Sequence, residues 1–205
     1  MKLSSGERKL FHKLRSGLIQ FALGKAADKV LEQRDEEALI AARDSLFRNR
    51  RRITTFVKKN PFKFSPEELE IVSGWKQARC GHFYIVRTLK DYTLFVECKN
   101  KYEPSGSVFG VVALDKPFKK IVHTPLPVLV RTVLLPFRGR IIFDGVMSFY
   151  SVDFGGNLRQ MMDGICEYQI RKSGVITSLD GKHENRLIPR PKMATKKIGS
   201  SKSKK

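Results

Sequence analysis

Apolar positions at spacings of three and four open the chain. Leu10, Phe11, Leu14, Leu18, Phe21 and Ala22 make one stripe, which predicts an amphipathic helix over residues 5–23. The preceding Ser4-Ser5-Gly6-Glu7 has the form of a capping box, and Gly24 is a natural stop. A second stripe of Leu39, Ile40, Leu46, Phe47, Ile53 and Val57 predicts a longer helix. It opens at Asp35-Glu36-Glu37, where acids meet the positive end of the helix dipole. Ser65-Pro66-Glu67-Glu68 caps a third helix carrying Leu69, Ile71, Val72 and Trp75. Apolar helical neighbours make Trp75 a core anchor rather than a base-stacking platform.

From Cys80 the pattern becomes strand-like. Residues 82–89 and 92–98 read as a hairpin turning at Lys90-Asp91, and residues 107–114 as a third strand. The most apolar, β-branched part of the chain follows at 125–157. In it, residues 128–135 read as a central strand, Pro136 to Gly139 as a turn, 140–143 as the return and 148–154 as a further strand. Gly155-Gly156 leads into a helix with Leu158, Met161, Met162, Ile165 and Tyr168, ending near Gly174, and residues 175–179 rejoin the sheet. The fold class is therefore α+β. A helical N-terminal part packs on a mainly antiparallel sheet of about five or six strands, with a C-terminal helix and a disordered basic tail. Three regions result: a helical 1–60, an α+β core at 61–179 and the tail at 180–205.

Charge changes the picture from fold to partner. The chain has 205 residues and a formal net charge of +20. Residues 1–60 carry 15 basic and 7 acidic side chains, residues 121–170 carry 4 of each, and residues 171–205 carry 11 and 2. A neutral centre between two basic ends points to a polyanion: nucleic acid, RNA before DNA, or a ribosome. An acidic protein partner is the other reading of the same charge. Three widely spaced cysteines make no disulfide framework, and the N-terminus has no apolar signal core; both features imply a cytoplasmic protein. Lys9, Lys13 and Arg15 flank the first stripe, but such a stripe ordinarily packs on its own domain, so no membrane partner is expected.

The candidate phosphate contacts lie first on the second helix. Arg48, Arg52 and Lys59 fall on its solvated face, with Arg51 and Lys58 beside them. Arg43 and Arg50 project into the apolar stripe, which implies either snorkelling, a break near Asn49, or a face that meets phosphates. Two basic turns add Lys119, Lys120, Arg138 and Arg140, and the tail adds Lys192, Lys196, Lys197, Lys202, Lys204 and Lys205. Together they predict a discontinuous footprint that tracks phosphates with little base preference.

Catalysis has a weaker signature. Glu97-Cys98-Lys99 has the Glu-x-Lys spacing of metal-dependent nucleases, with Asp91 or Asp144 as the second carboxylate. That is the alternative to a non-enzymatic binder; a protein-interaction factor, inhibitor or adaptor, is the third. Cys80-Gly81-His82 is too short for a zinc site, so no metal or cofactor is expected.

Several phrases also resemble a family of small uncharacterised bacterial proteins. These are Asn60-Pro61 with Ser65 to Leu69, Trp75 with Gly81 to Arg87, Leu134 to Gly145, Phe154-Gly155-Gly156 and Ile176 to Leu179. The resemblance spans most of residues 5–179 and implies a single-domain prokaryotic protein, with no activity attached. Some relatives end in a Cys/His metal-binding segment; this chain has no Cys after Cys166, so that metal is not implied here.

Overall fold

The computed structural model describes residues 1–33, 35–151 and 155–180. Five strands carry the fold: β1 (Arg79–Thr88), β2 (Thr93–Cys98), β3 (Pro104–Val112), β4 (Val128–Phe137) and β5 (Arg140–Tyr150). They close into a barrel in the order β1-β2-β3-β5-β4, and β4 returns to β1. Every pairing is antiparallel except β3 with β5, which meet in parallel at Val111–Ile141 and Val112–Ile142. A five-stranded Greek-key barrel with this strand order is an OB-type barrel. Below the short β3–β5 contact, Ile176 fills the seam, bonding to Val108 and Gly110 of β3. The predicted return of residues 175–179 to the sheet is thus confined to bridge positions at Val175 and Ile176.

The barrel interior is aromatic. Phe83, Phe95 and Phe109 meet edge-on inside it, and Phe118, from the connection after β3, plugs one end against Phe95 and Phe143. The helices α1 (Ser5–Leu23), α2 (Ala27–Glu32), α3 (Glu36–Arg48), α4 (Arg51–Lys59) and α5 (Pro66–Gly74) cover one side. They share one continuous core with the barrel: Phe11 of α1 packs edge-on against both Trp75 and Phe137. Residues 1–60 are therefore a layer of the same hydrophobic core, not a body beside it. Trp75 is 1% exposed, the core anchor its helical setting predicts.

Both caps form as their sequences dictate. Ser4 and Glu7, and Ser65 and Glu68, exchange reciprocal hydrogen bonds, and Pro66 takes the first turn of α5. The second predicted helix, by contrast, is two. Asn49 leaves helical geometry at φ −112°, and α4 restarts at Arg51. The break turns α4 so that Ile53 and Phe56 both bury, with Phe56 seated against Phe21 and Phe64.

The two predicted strands at 140–143 and 148–154 are one. β5 runs through both, with Asp144, Gly145 and Val146 bulging opposite the single residue Val133. Gly145 sits at φ +90°, a backbone region that disfavours any side chain, so the bulge depends on it. The turn before β5 is tighter than predicted. Only Arg138 and Gly139 lie outside the ladder, both at positive φ, and Pro136 still pairs with Ile141. The helix α6 (Gly156–Ser173) then crosses the outer face of the barrel. Its Met162 and Cys166 bury against Tyr84, Val86, Leu94, Val96 and Val108. Residues 152–154 of the last predicted strand, and the predicted tail beyond Asp180, lie outside the described residues.

Candidate nucleic-acid interface

The predicted basic helix does not present its arginines as one face. Arg43 is the clearest correction. It is 3% exposed and donates to Asp44 through Nε and Nη2 at 3.0 and 2.8 Å, with Nη1 3.4 Å from Asp144. A guanidinium so enclosed reaches no phosphate. Arg50 donates to the carbonyls of Lys76 and Ala78, and Arg52 to Ser45 Oγ and the Ala22 carbonyl. Both tie helices together. Arg140 is paired with Glu7. Arg48, Arg51, Lys58, Lys59, Lys119, Lys120 and Arg138 remain exposed.

These remaining cations come from separate elements: Arg48 from α3, Arg51, Lys58 and Lys59 from α4, Lys119 and Lys120 from the connection after β3, and Arg138 from the turn between β4 and β5. Lys192, Lys196, Lys197, Lys202, Lys204 and Lys205 lie outside the described residues. The nuclease quartet is not assembled either. Asp91 lies in the β1–β2 turn, and Glu97 near the far end of β2, about 20 Å along the strand. Lys99 is exposed beyond that end. Asp144 is on β5, buried and held by Arg43, by Thr132 Oγ1 at 3.5 Å and by the Val146 amide at 3.3 Å.

What the fold does assemble is a strip on the outer face of β1, β4 and β5. Strand register sets His82 of β1 beside Arg131 of β4, and Arg131 beside Ser148 of β5; Tyr150 follows two residues on. His82 Nε2 lies 3.2 Å from Tyr150 Oη. The β2–β3 loop folds over the same rows: Tyr84 Oη donates to the Tyr102 carbonyl at 2.9 Å. Lys101 stands 4.5 Å from the Tyr150 ring and 5.2 Å from the Tyr102 ring, close enough for cation–π attraction. Tyr102 is 56% exposed. Arg131 is the one residue of β4 not buried; Asp44 holds it at 2.8 Å. Beyond it, Arg48 and Arg131 line a cleft of about 260 Å³ with Cys80 and Gly81. The strip thus runs from Tyr102 and Lys101 through Tyr150, His82 and Arg131 to Arg48.

Its electrostatics follow from these neighbours. Burial lowers the His82 imidazole below its ordinary value, and the charges of Arg131 and Lys101 lower it further. The histidine is therefore neutral at pH 7, and the positive charge of the strip rests on Lys101, Arg131 and Arg48. Beneath it runs a buried chain of charges: Arg131, Asp44, Arg43, Asp144. Burial raises the Asp44 carboxyl, but hydrogen bonds and charge from Arg43 and Arg131 outweigh it and hold it below the ordinary range. Asp144 goes the other way: burial pushes it up, against Arg43 and Arg15.

Sequence reasoning missed His82, Lys101, Tyr102, Arg131 and Tyr150 as partners. Their signal was period-two alternation: His82 and Tyr84, like Ser148 and Tyr150, are the outward residues of their strands. Arg131 is the lone charge in the apolar run of β4. No family model matches the chain, and no curated protein or solved structure matches it. Among the described residues no helix is long and apolar enough to cross a membrane.

Proposed function

We propose that the protein binds single-stranded nucleic acid, RNA before DNA, with little base preference and without catalysis. The strand lies across the outer face of β1, β4 and β5. The observation that carries this is the strip itself, in which the exposed Tyr102 ring and the half-buried Tyr150 ring are interleaved with cations. Bases stack on Tyr102 and Tyr150 while phosphates meet Lys101, Arg131 and Arg48, the combination that binds single strands irrespective of sequence. RNA is favoured because its unpaired loops offer splayed bases to such rings. The net charge of +20 supplies the long-range attraction. The OB-type barrel adds support by analogy only, since one fold hosts many functions. A ribosome-associated protein would use the same surface.

The test is fluorescence anisotropy with a labelled 5′-hydroxyl oligouridylate between 50 and 200 mM salt. Affinity is expected to fall steeply over that range, as counterion release requires. Tyr150→Ala should weaken binding by about fivefold or more, the scale of one lost base stack, and Lys101→Ala should flatten the salt dependence. Salt-independent binding, or a Tyr150→Ala variant that binds as well as the parent, would sink the proposal. Capture of a protein that survives nuclease treatment would point instead to an acidic partner.

A further inference from the structure

A second cavity lies round the edge of the barrel from the strip. It has a volume of about 460 Å³, inside the range of small-molecule pockets, and opens between α1, the connection after β3, and the bulge of β5. Its walls are apolar and aromatic, including buried Phe143 and Phe149, which is 47% exposed. Its charged residues are His12, Arg15, Asp115, Lys116 and Asp144.

Most of those charges are already matched. Asp115 pairs with Arg8 at 3.1 Å and with His12 at 3.4 Å. Asp144 pairs with Arg43. In the charge cluster behind the cavity, the guanidiniums of Arg15, Arg43 and Arg131 face the two carboxylates of Asp44 and Asp144, leaving one positive charge over. The surplus is at Arg15. It is half-buried and feels Asp144 through space. Yet it has no hydrogen bond or ion pair among the described residues, while its two companions are both paired. An arginine does not shed its proton to escape this, and a half-buried charge without a fork partner lacks what stabilises its kind elsewhere in the fold. Lys116, at the exposed rim of the same cavity, is likewise without a partner among the described residues.

We infer that this cavity binds a phosphate monoester carrying a planar ring, that is, a nucleotide. The phosphate takes Arg15 as a two-point fork and Lys116 as a second counter-charge, and the ring lies against Phe149. Phosphate fits better than a carboxylate because two unmatched cations call for a dianion. The nucleotide has two sources, a free mononucleotide or the phosphorylated end of a bound strand; the second rests on the strand-binding function proposed above. Phe149 and Tyr150 are consecutive in β5, whose side chains alternate between faces, so a strand leaving the strip reaches this cavity by passing round the edge of β5.

Isothermal titration calorimetry of the full chain with adenosine 5′-monophosphate, adenosine and inorganic phosphate tests the site. One equivalent of the nucleotide should bind, with adenosine and phosphate each weaker by about tenfold or more, as expected when a charge-assisted contact or a stacked ring is lost. Arg15→Gln should weaken the nucleotide by about tenfold or more, and Lys116→Gln and Phe149→Ala should weaken it too. Those last two sit at exposed positions and keep the test decisive if Arg15→Gln does not fold. No saturation by the nucleotide up to millimolar concentration overturns the site. So does equal affinity for adenosine or phosphate, or binding unaltered in the folded variants. Oligonucleotides with and without a 5′-phosphate separate the sources. A gain from the phosphate that survives Tyr150→Ala assigns the strand end, and nucleotide binding without that gain assigns the free nucleotide. If no oligonucleotide binds but the nucleotide does, the strip has failed and the cavity has not.

Discussion

Replacing Arg43 with Met tests how the helical layer is fixed to the barrel. Arg43 reaches from α3 to Asp144 of β5, and the two side chains are 3% and 1% exposed. Losing the guanidinium leaves Asp144 buried with Thr132 and Val146 as its remaining hydrogen-bond donors. Breaking a buried pair from one side costs about 3–5 kcal/mol, because the other charge stays desolvated. For a chain of this size that lowers Tm by about 6–20 °C. The pH dependence follows from the same geometry. Burial already raises the Asp144 carboxyl in the intact protein, and without Arg43 it rises further. A carboxyl whose folded pKa exceeds its unfolded value of about 3.9 stabilises fully below that value and loses the contribution as pH rises through the folded pKa. The deficit of the variant relative to the parent should therefore be largest at pH 7 and shrink as pH falls towards 5. Adding Asp144→Asn should recover most of the loss at pH 7, since the amide keeps hydrogen-bonding capacity without the charge. Urea unfolding followed by the fluorescence of buried Trp75 supplies the free energies. A deficit below about 1 kcal/mol at pH 7, well under the expected cost, or one that ignores pH, would refute this account of the junction.

Two further outcomes probe the packing on either side. A Cβ at Gly17 would lie 2.8 Å from Cζ of Phe64, whose ring is stacked with Phe62 and tilted against Phe56; overpacking of about 1–3 kcal/mol should outweigh the gain of about 1 kcal/mol from alanine in a helix. Gly17→Ala should thus lower Tm by a few degrees, and a raised Tm would show that the aromatic stack yields freely. Under α6, burial pushes the Cys166 thiol up to about 11, so its alkylation at pH 8, read by mass spectrometry, should wait on α6 lifting from the barrel. Arg87→Ala, which removes the pairs to Asp163 and Glu167, should speed that reaction by no more than about fivefold, the limit for exposed ion pairs. The Cys80 thiol is likewise pushed up by burial to about 11 but is exposed, so the two differ in access, and labelling of Cys166 as fast as that of Cys80 would mean that α6 does not hold.

Local signals in the sequence were mostly faithful, and most failures were of longer range. The two capping boxes and the Trp75 anchor depend on neighbours within a few residues and formed as the pattern dictates; the β4–β5 hairpin formed with a tighter turn and a longer return strand than its local pattern gave. The break at Asn49 was one of three explanations for Arg43 and Arg50 in the apolar stripe, and continuous periodicity left it undecided; it aims Phe56 at Phe21 and Phe64, contacts no local window contains. Arg43 was already odd in sequence, projecting into an apolar stripe. Its explanation lay 101 residues away in Asp144. Barrel closure was beyond reach for the same reason, since the parallel β3–β5 pairing joins segments separated by the whole of β4. Counting charges put the candidate contacts on a helix, two turns and the tail; the candidate strip comes from the sheet, which brings together Lys101 from a polar loop, Arg131 from an apolar run and Tyr150 from a strand end.

Where α6 lies decides which face of the barrel is open to a ligand. In OB-type barrels the β2–β3 face is the usual oligonucleotide platform. Here the outward residues of that region are Leu94, Val96 and Val108, buried with Tyr84 and Val86 beneath α6. Met162 and Cys166, 1% and 0% exposed, seal it, and Gln169 sits so close to Gly106 that a Cβ there would lie 2.5 Å from its Nε2. A strand that displaced α6 would uncover this apolar surface at a cost of about 1.5–3 kcal/mol for each large side chain exposed, against about 1–3 kcal/mol gained for each stacked base. The cation it would free there is Arg87, at the further cost of its pairs with Asp163 and Glu167. The neighbouring face differs. Its Tyr102 ring is exposed and its Tyr150 ring half-buried under Lys101, and Arg131 stands in the next strand. Under the proposed function the ligand surface is on β1, β4 and β5, because α6 covers the β2–β3 face.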